Sequence, residues 1–386
     1  MKKFLAVVLA LVLVVGLCAC GSGNGGEEKK AESTTIKLGC IGPTTGAYAN
    51  YGLSVQHGAE VAIAEINAKG GINGKQIEFS MMDSQGDPAS AVAAYGKLMD
   101  WGMEVSLGTV LSGEMASVVQ ESAQDDMFMI SGSASADACL EASDNAFRIC
   151  FYDSYQGIAA GDYVADNFAG QDVAVFYESD LDYSVGLYTS FKAQCEKKGV
   201  KIVEEQSFLK SDTDYSAQIT KLVDSGAKVI FIPIYAEEAS TFLTQAKNGT
   251  ANAVFGADVY FFGADGLDGI LGKVEQAPKT ADNVLMLTPF AENSKDPAVA
   301  SFVAQYKKDY NAVPDQFAAD GYDAVYVVKA AVEKAGSTKG SEVTKALLGL
   351  EYTGVTGKMT WEANGNTNKA AMAILYKDGA GSVFGE

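Results

Sequence analysis

Imidazole and guanidinium groups are nearly missing from this 386-residue chain, which has one histidine, His57, and one arginine, Arg148. A Ser-His-Asp triad or a histidine-rich metal centre would have to be assembled around His57 alone. His57 lies in Gln56-His57-Gly58-Ala59-Glu60, inside a helical pattern, where a structural or surface role is the simpler expectation. A single arginine nearly excludes a guanidinium clamp on a carboxylate or phosphate. Any anionic ligand group must then be held by hydroxyls, backbone N–H groups or lysines. No CxxC spacing occurs, so zinc and thiol-redox motifs lack support. There is no GxxxxGK[ST] phosphate loop and no Gly-x-Ser-x-Gly nucleophile elbow. Neither a metal nor a cofactor is expected.

Positive charge is scarce overall: 29 Lys and Arg stand against 49 Asp and Glu, a formal −20, and loss of residues 1–19 with Lys2 and Lys3 takes it to −22. Such a surface repels nucleic acid, anionic headgroups and polyanionic substrates. With 48% apolar residues, the chain has material for two domains of ordinary size.

The N-terminus reads as an export signal. Lys2 and Lys3 precede an apolar run from Phe4 to Leu17, too short for a comfortable membrane span. Cys20, with Ala19 before it and Leu17 further back, fits a lipidation site; Cys18 fits poorly. The Gly/Ser tract after Cys20 would be a flexible tether. This gives a signal peptide over 1–19, a tether over 20–34, and an extracytoplasmic protein held at the membrane by its lipid alone. Among the remaining cysteines, Cys139 and Cys150 flank a turn-rich stretch and either pair or remain separate buried thiols.

From Thr35 onward, short apolar strands alternate with amphipathic helices, the pattern of a parallel α/β protein. Strands are expected at 36–41, 77–82, 105–108, 128–130, 173–177, 229–234, 284–287 and 372–376. Helices are expected at 53–69, 88–101, 186–198, 215–225, 237–247, 296–310 and 322–335. Asp87-Pro88 and Asp296-Pro297 each place a cap before an initial proline. The alternation runs to about Arg148 and restarts at Asp172, which implies two lobes.

In parallel sheets, ligands collect beyond the carboxyl ends of the strands. Three loops there are rich in Gly, Ser and Thr: Gly42 to Gly52, Gly108 to Glu114, and Ser131 to Asp137. The first lacks a G-x-G-x-x-G spacing. The second and third are each expected to open a helix, offering N–H groups and hydroxyls as a neutral cradle for a carboxylate.

Several stretches, in this order, resemble the branched-chain amino acid (Leu/Ile/Val) binding proteins of ABC importers. They are Ile41-Gly42-Pro43-Thr44-Thr45-Gly46 with Asn50-Tyr51-Gly52, Ala64 to Gly74, Asp83 to Pro88, Met129-Ile130-Ser131, Phe147-Arg148 with Tyr155-Gln156-Gly157, and Gly263-Ala264-Asp265-Gly266. The resemblance spans nearly the whole mature chain. It implies a two-lobe type I periplasmic-binding fold with a parallel sheet in each lobe and a three-segment hinge near Asp153, Pro289 and Lys369. Lobe 1 would be 35–153 with 289–368, and lobe 2 would be 154–288 with 369–386.

By the same resemblance, Ser112 and the Ser133-Ala134-Ser135 loop would hold an α-carboxylate, and Asp265 the α-ammonium. Tyr51, Tyr183, Tyr235 and Phe317 would form aromatic walls. Asp265 is shorter than the glutamate often found at its position, and Ser133 and Ser135 replace an alanine and a threonine. The expected partners are a free amino acid and the transmembrane subunits of a permease, with the receptor itself a monomer. Alternatives of the same fold are a sensor, or a receptor for an amide, urea or an aromatic acid. A secreted hydrolase would lack a convincing base.

Overall fold

A computed structural model describes residues 33–248 and 254–384, so the signal segment, most of the tether and Cys20 lie outside the described residues. The first sheet is built from β1 (Thr35–Gly42), β2 (Gln76–Asp83), β3 (Val105–Thr109), β4 (Met129–Ser131) and β5 (Ala146–Arg148), all parallel in the order β2-β1-β3-β4-β5. Helices α1 (Ala49–Ala68), α2 (Pro88–Trp101) and α3 (Ser112–Gln124) connect its strands. β3 is buried along its length, as a strand covered by helices on both faces must be.

The chain then passes through α4 (Asp153–Asn167) into a second sheet. Here β6 (Val173–Glu178), β7 (Ile202–Phe208), β8 (Val229–Phe231), β9 (Tyr260–Gly263) and β10 (Val284–Thr288) alternate with α5 (Asp182–Lys198), α6 (Ser216–Asp224), α7 (Ala236–Asn248) and the short α8 (Ile270–Lys273). After β10 the chain returns to the first sheet's side with α9 (Pro297–Tyr310), α10 (Gln316–Ala335) and α11 (Gly340–Leu347). A hairpin of β11 (Glu351–Gly354) and β12 (Gly357–Thr360) follows. The chain crosses a third time to add β13 (Met372–Lys377) and β14 (Ala380–Val383), giving the order β14-β13-β10-β9-β8-β6-β7.

Local chemistry accounts for the element ends. Asp87 accepts from Ser90 N at 2.8 Å, and Asp296 accepts from Ala298 N at 2.7 Å, each ahead of a proline at the first helical position. β8 ends at Phe231, short of the expected 234, just before Pro233, which has no N–H for a ladder. The second sheet departs from the all-parallel expectation: β13 and β14 run antiparallel. Asp378 and Gly379, both at positive φ, form a two-residue turn between them. The third loop does not open a long helix; it makes one 3-10 turn, Asp137–Leu140, and leads into β5. Cys139 and Cys150 are both buried free thiols.

α1 and α10 lie unusually close. A Cβ on Gly58 would stand 1.8 Å from Ala318 O, so only glycine permits that approach. This pairing brings the start of α10, with Phe317, beside the start of α1, with Tyr51; their rings meet edge to face at 4.9 Å.

Candidate functional site

The cleft between the sheets narrows to a small cavity lined by Tyr51, Val110, Leu111, Ser133, Ser135, Tyr183, Tyr235, Asp265, Gly266 and Phe317. Val110 and Leu111 follow β3, Ser133 and Ser135 follow β4, Tyr235 follows β8, and Asp265 follows β9. The residues therefore gather at the carboxyl ends of the strands.

Seven of the nine residues expected to meet a ligand border the cavity. The other two, Ser112 and Ala134, are not in that lining but are chain neighbours of Leu111, Ser133 and Ser135, while Val110, Leu111 and Gly266 join it. Gly266 lies where a Cβ would come within 2.5 Å of the Tyr183 hydroxyl and 2.9 Å of the Tyr235 ring. Tyr183 and Tyr235 stack with centroids 4.7 Å apart. His57 is elsewhere, stacked on Tyr310 at 3.9 Å, with its pKa lowered chiefly by burial.

On the first sheet's side the hydrogen bonds follow a definite order. Ser131 Oγ accepts from Ser133 N and Ala134 N, at 3.2 and 2.9 Å, and donates to Thr109 O at 2.6 Å. Ser133 Oγ donates to Val110 O at 2.6 Å, so its proton is already committed. Ser112 Oγ accepts from both Ser135 N and Ala136 N at 3.1 Å. An oxygen that accepts two N–H groups still has its own proton to give.

The second sheet's side is acidic. Asp265 is buried on the 3-10 turn after β9. Its Oδ1 accepts from the Tyr183 hydroxyl and from Gly266 N, both at 2.9 Å. Its main-chain N–H donates to Gln156 Oε1 at 3.0 Å, and its carbonyl accepts from Gln316 Nε2 at 2.9 Å. Burial outweighs these bonds and pushes its pKa up to about 6. Asp153, wholly buried at the start of α4, has no hydrogen-bond partner on either oxygen. Its pKa is raised well above the usual carboxylate range by burial, with Asp265 adding to it.

The cleft is closed. The Tyr51 hydroxyl donates to Gly266 O at 2.7 Å and accepts from Ala236 N at 2.8 Å. Tyr48 donates to Glu238 at 2.9 Å, Lys273 donates to Ala47 O at 2.8 Å, and Gln316 N donates to Asp268 at 2.9 Å. Sequence reasoning missed Tyr48, Asp268 and Gln316, because their partners lie on the other sheet's side. Asp153 and Gln156 carried a readable signal: spaced by three at a helix start, they share one face.

Comparison with known proteins matches residues 35–381 to the family described as periplasmic binding protein. Over 351 residues the chain is 30% identical to the Leu/Ile/Val-binding protein BraC3 of Rhizobium johnstonii, covering 90% of this chain and 93% of that protein. It is 28% identical over 336 residues to the leucine-, isoleucine-, valine-, threonine- and alanine-binding protein of Pseudomonas aeruginosa, covering 86% and 87%. Among solved structures, the branched-chain amino acid transporter substrate-binding protein LivJ from Streptococcus pneumoniae, in complex with isoleucine, matches with a TM-score of 0.82 and 31% identity. That match covers 90% of this chain and 99% of the other.

Proposed function

The chain belongs to the periplasmic binding protein family and has its two-lobed type I fold, and on that premise we propose that it is the receptor of an ABC importer, taking a free branched-chain amino acid into its cleft. The observation that carries this reading is the opposition of chemistries across one small cavity. Asp265, with Oδ1 committed to Tyr183 and Gly266, borders the cavity and has Oδ2 left for an ammonium. Across the cavity lie Ser133 and Ser135, with the Ser112 hydroxyl bonded to their loop, a set suited to a carboxylate. Apolar atoms of Tyr51, Val110, Leu111, Tyr235 and Phe317 surround a short aliphatic side chain.

A zwitterion with its two charges set this way pairs each ion, which a dry cleft demands. The ligand docks on one lobe and the other closes over it, with Tyr51 bridging to Gly266 and Ala236. The lobes comprise 35–153 with 289–368 and 154–288 with 369–386, and the three crossings near Asp153, Pro289 and Lys369 serve as hinges. A monomeric receptor tethered through lipidated Cys20 outside the cytoplasmic membrane presents the closed form to a permease.

The test is a thermal-shift screen of the mature protein followed by calorimetry. Leucine, isoleucine or valine at 100 times its Kd stabilises the folded state by about 2.7 kcal/mol. A shift with benzoate, an amide or urea, and none with amino acids, would refute the amino-acid reading. Cys20→Ala is expected to release the protein from the membrane fraction; retention there would refute the lipid anchor.

A further inference from the structure

Arg148, the one guanidinium of the chain, is fully enclosed at the end of β5. Its side chain runs against the Ser131–Asp137 loop and meets three consecutive backbone carbonyls. Nη1 donates to Ser135 O, and Nη2 donates to Ala136 O at 2.9 Å and to Asp137 O at 3.5 Å. None of these carbonyls carries a formal charge, and among the described residues Arg148 makes no ion pair. Its Nε has no partner. A buried cation held only by dipoles is costly unless an anion answers it. Asp153 answers it poorly, because burial drives that carboxyl toward its neutral form.

A chain of bonds leads from the guanidinium to the pocket. The Ser135 carbonyl and the Ala136 N–H belong to one peptide group, and that N–H donates to Ser112 Oγ at 3.1 Å. Ser135 N donates to the same oxygen at the same distance. Successive hydrogen bonds polarise one another, so a cation on the carbonyl end makes the hydroxyl at the far end a stronger donor.

We propose that Arg148 is a positioning residue for ligand recognition, which, without touching the ligand, sets the Ser135–Ala136 peptide and through it the Ser112 hydroxyl as a polarised hydrogen-bond donor to a ligand carboxylate. This rests on the reading that a carboxylate lies at these loops. Arg148 does not line the cavity. Its charge acts from behind the loop instead. The Ser135 and Ala136 carbonyls are engaged by the guanidinium and so are not free to repel an incoming anion.

The deciding experiment is calorimetry with L-leucine and L-leucinamide, which share side chain and ammonium but differ in the carboxylate. Wild type is expected to prefer leucine. Arg148→Met should weaken leucine by about 10- to 100-fold and leucinamide by less than roughly threefold, collapsing the preference. Arg148→Lys, which keeps the charge but loses the fork, should fall between. Ser112→Ala should show the same selective loss, and adding Arg148→Lys to it should change little, since the two act in series.

If Arg148→Met fails to fold, the lysine variant and the double-variant comparison carry the test. Equal losses for leucine and leucinamide, or additive losses in the double variant, would assign Arg148 a merely structural role and overturn the proposal. Wild type that binds no amino acid would refute the amino-acid reading first. The same comparison made with benzoate and benzamide would then decide the role of Arg148, and failure to bind any carboxylate would overturn both.

Discussion

The wall of the cleft that belongs to the first sheet presents hydroxyls and N–H groups backed by one enclosed cation, whereas the wall from the second sheet presents the carboxylate of Asp265. Ser112, Ser133 and Ser135 keep their geometry through bonds between the loops after β3 and β4, both on the first sheet's side. Asp265 is held by Tyr183 and Gly266 from its own side but also by Gln316 from α10. On the proposed reading, this contrast would orient a zwitterion, with the anion site on one lobe and the cation site brought to it by closing. Several acids close to the cleft are held toward their neutral forms. Burial pushes Glu178 up to about 7, and burial with Asp315 beside it pushes Asp268 up to about 8.

Removing the acidic wall's central group has the largest expected effect. Asp265→Ala should lower amino-acid affinity by about 100-fold or more in calorimetry, since it leaves a buried ammonium unpaired, while the circular dichroism spectrum stays unchanged. Undiminished affinity would separate Asp265 from ammonium binding. Tyr51→Phe removes the hydroxyl that bonds to both Gly266 and Ala236. It should cost about tenfold in affinity, mostly as faster dissociation in stopped-flow measurements, at ~1 kcal/mol net for such bonds.

The acid–hydroxyl contrast also sets a pH profile. Asp265 must be ionised to hold an ammonium, so affinity should fall as pH drops through about 6. Burial and Asp315 hold Asp268 toward its neutral form where it caps α10 in the closed cleft, so closing should be favoured while it keeps its proton and weaken as pH rises above the ordinary carboxylate range. Titration calorimetry between these limits should show an optimum, and Asp268→Asn should flatten only the alkaline limb. The smallest effect is expected at His57→Gln, remote from both walls. It should leave ligand affinity within error and cost about 0.5–1 kcal/mol of stability through the lost Tyr310 stacking, read by urea denaturation.

Where the fold was legible, one stretch of chain carried the whole signal. Pro88–Trp101 is a helix at both of its expected ends, because Asp87, Pro88 and Gly102 mark it locally. β1 and β6 are short apolar runs that read as buried strands. β7 and β9 were not legible: the first carries Glu204, Glu205 and Gln206 at an edge, and the second is four residues long in a glycine-rich stretch. The antiparallel β13–β14 pair was announced by Asp378-Gly379, a turn signal that strand counting overlooked. In the site, the serine loops and Asp265 stood out by residue type and by resemblance. The bonds that shut the cleft did not, since Tyr48 and Glu238 are 190 positions apart.

By itself, the sequence determined that this protein is an acidic α/β receptor with a single histidine and a single arginine to build a site from. Those properties depend on which residues are present and on their local periodicity. Only the tertiary structure decided that Ser133 has spent its proton on Val110, that Ser112 has kept its own, and that the lone arginine lies against the Ser135 and Ala136 carbonyls. Such facts depend on where each donor finds its acceptor, and the acceptors come from other loops and from the opposite wall.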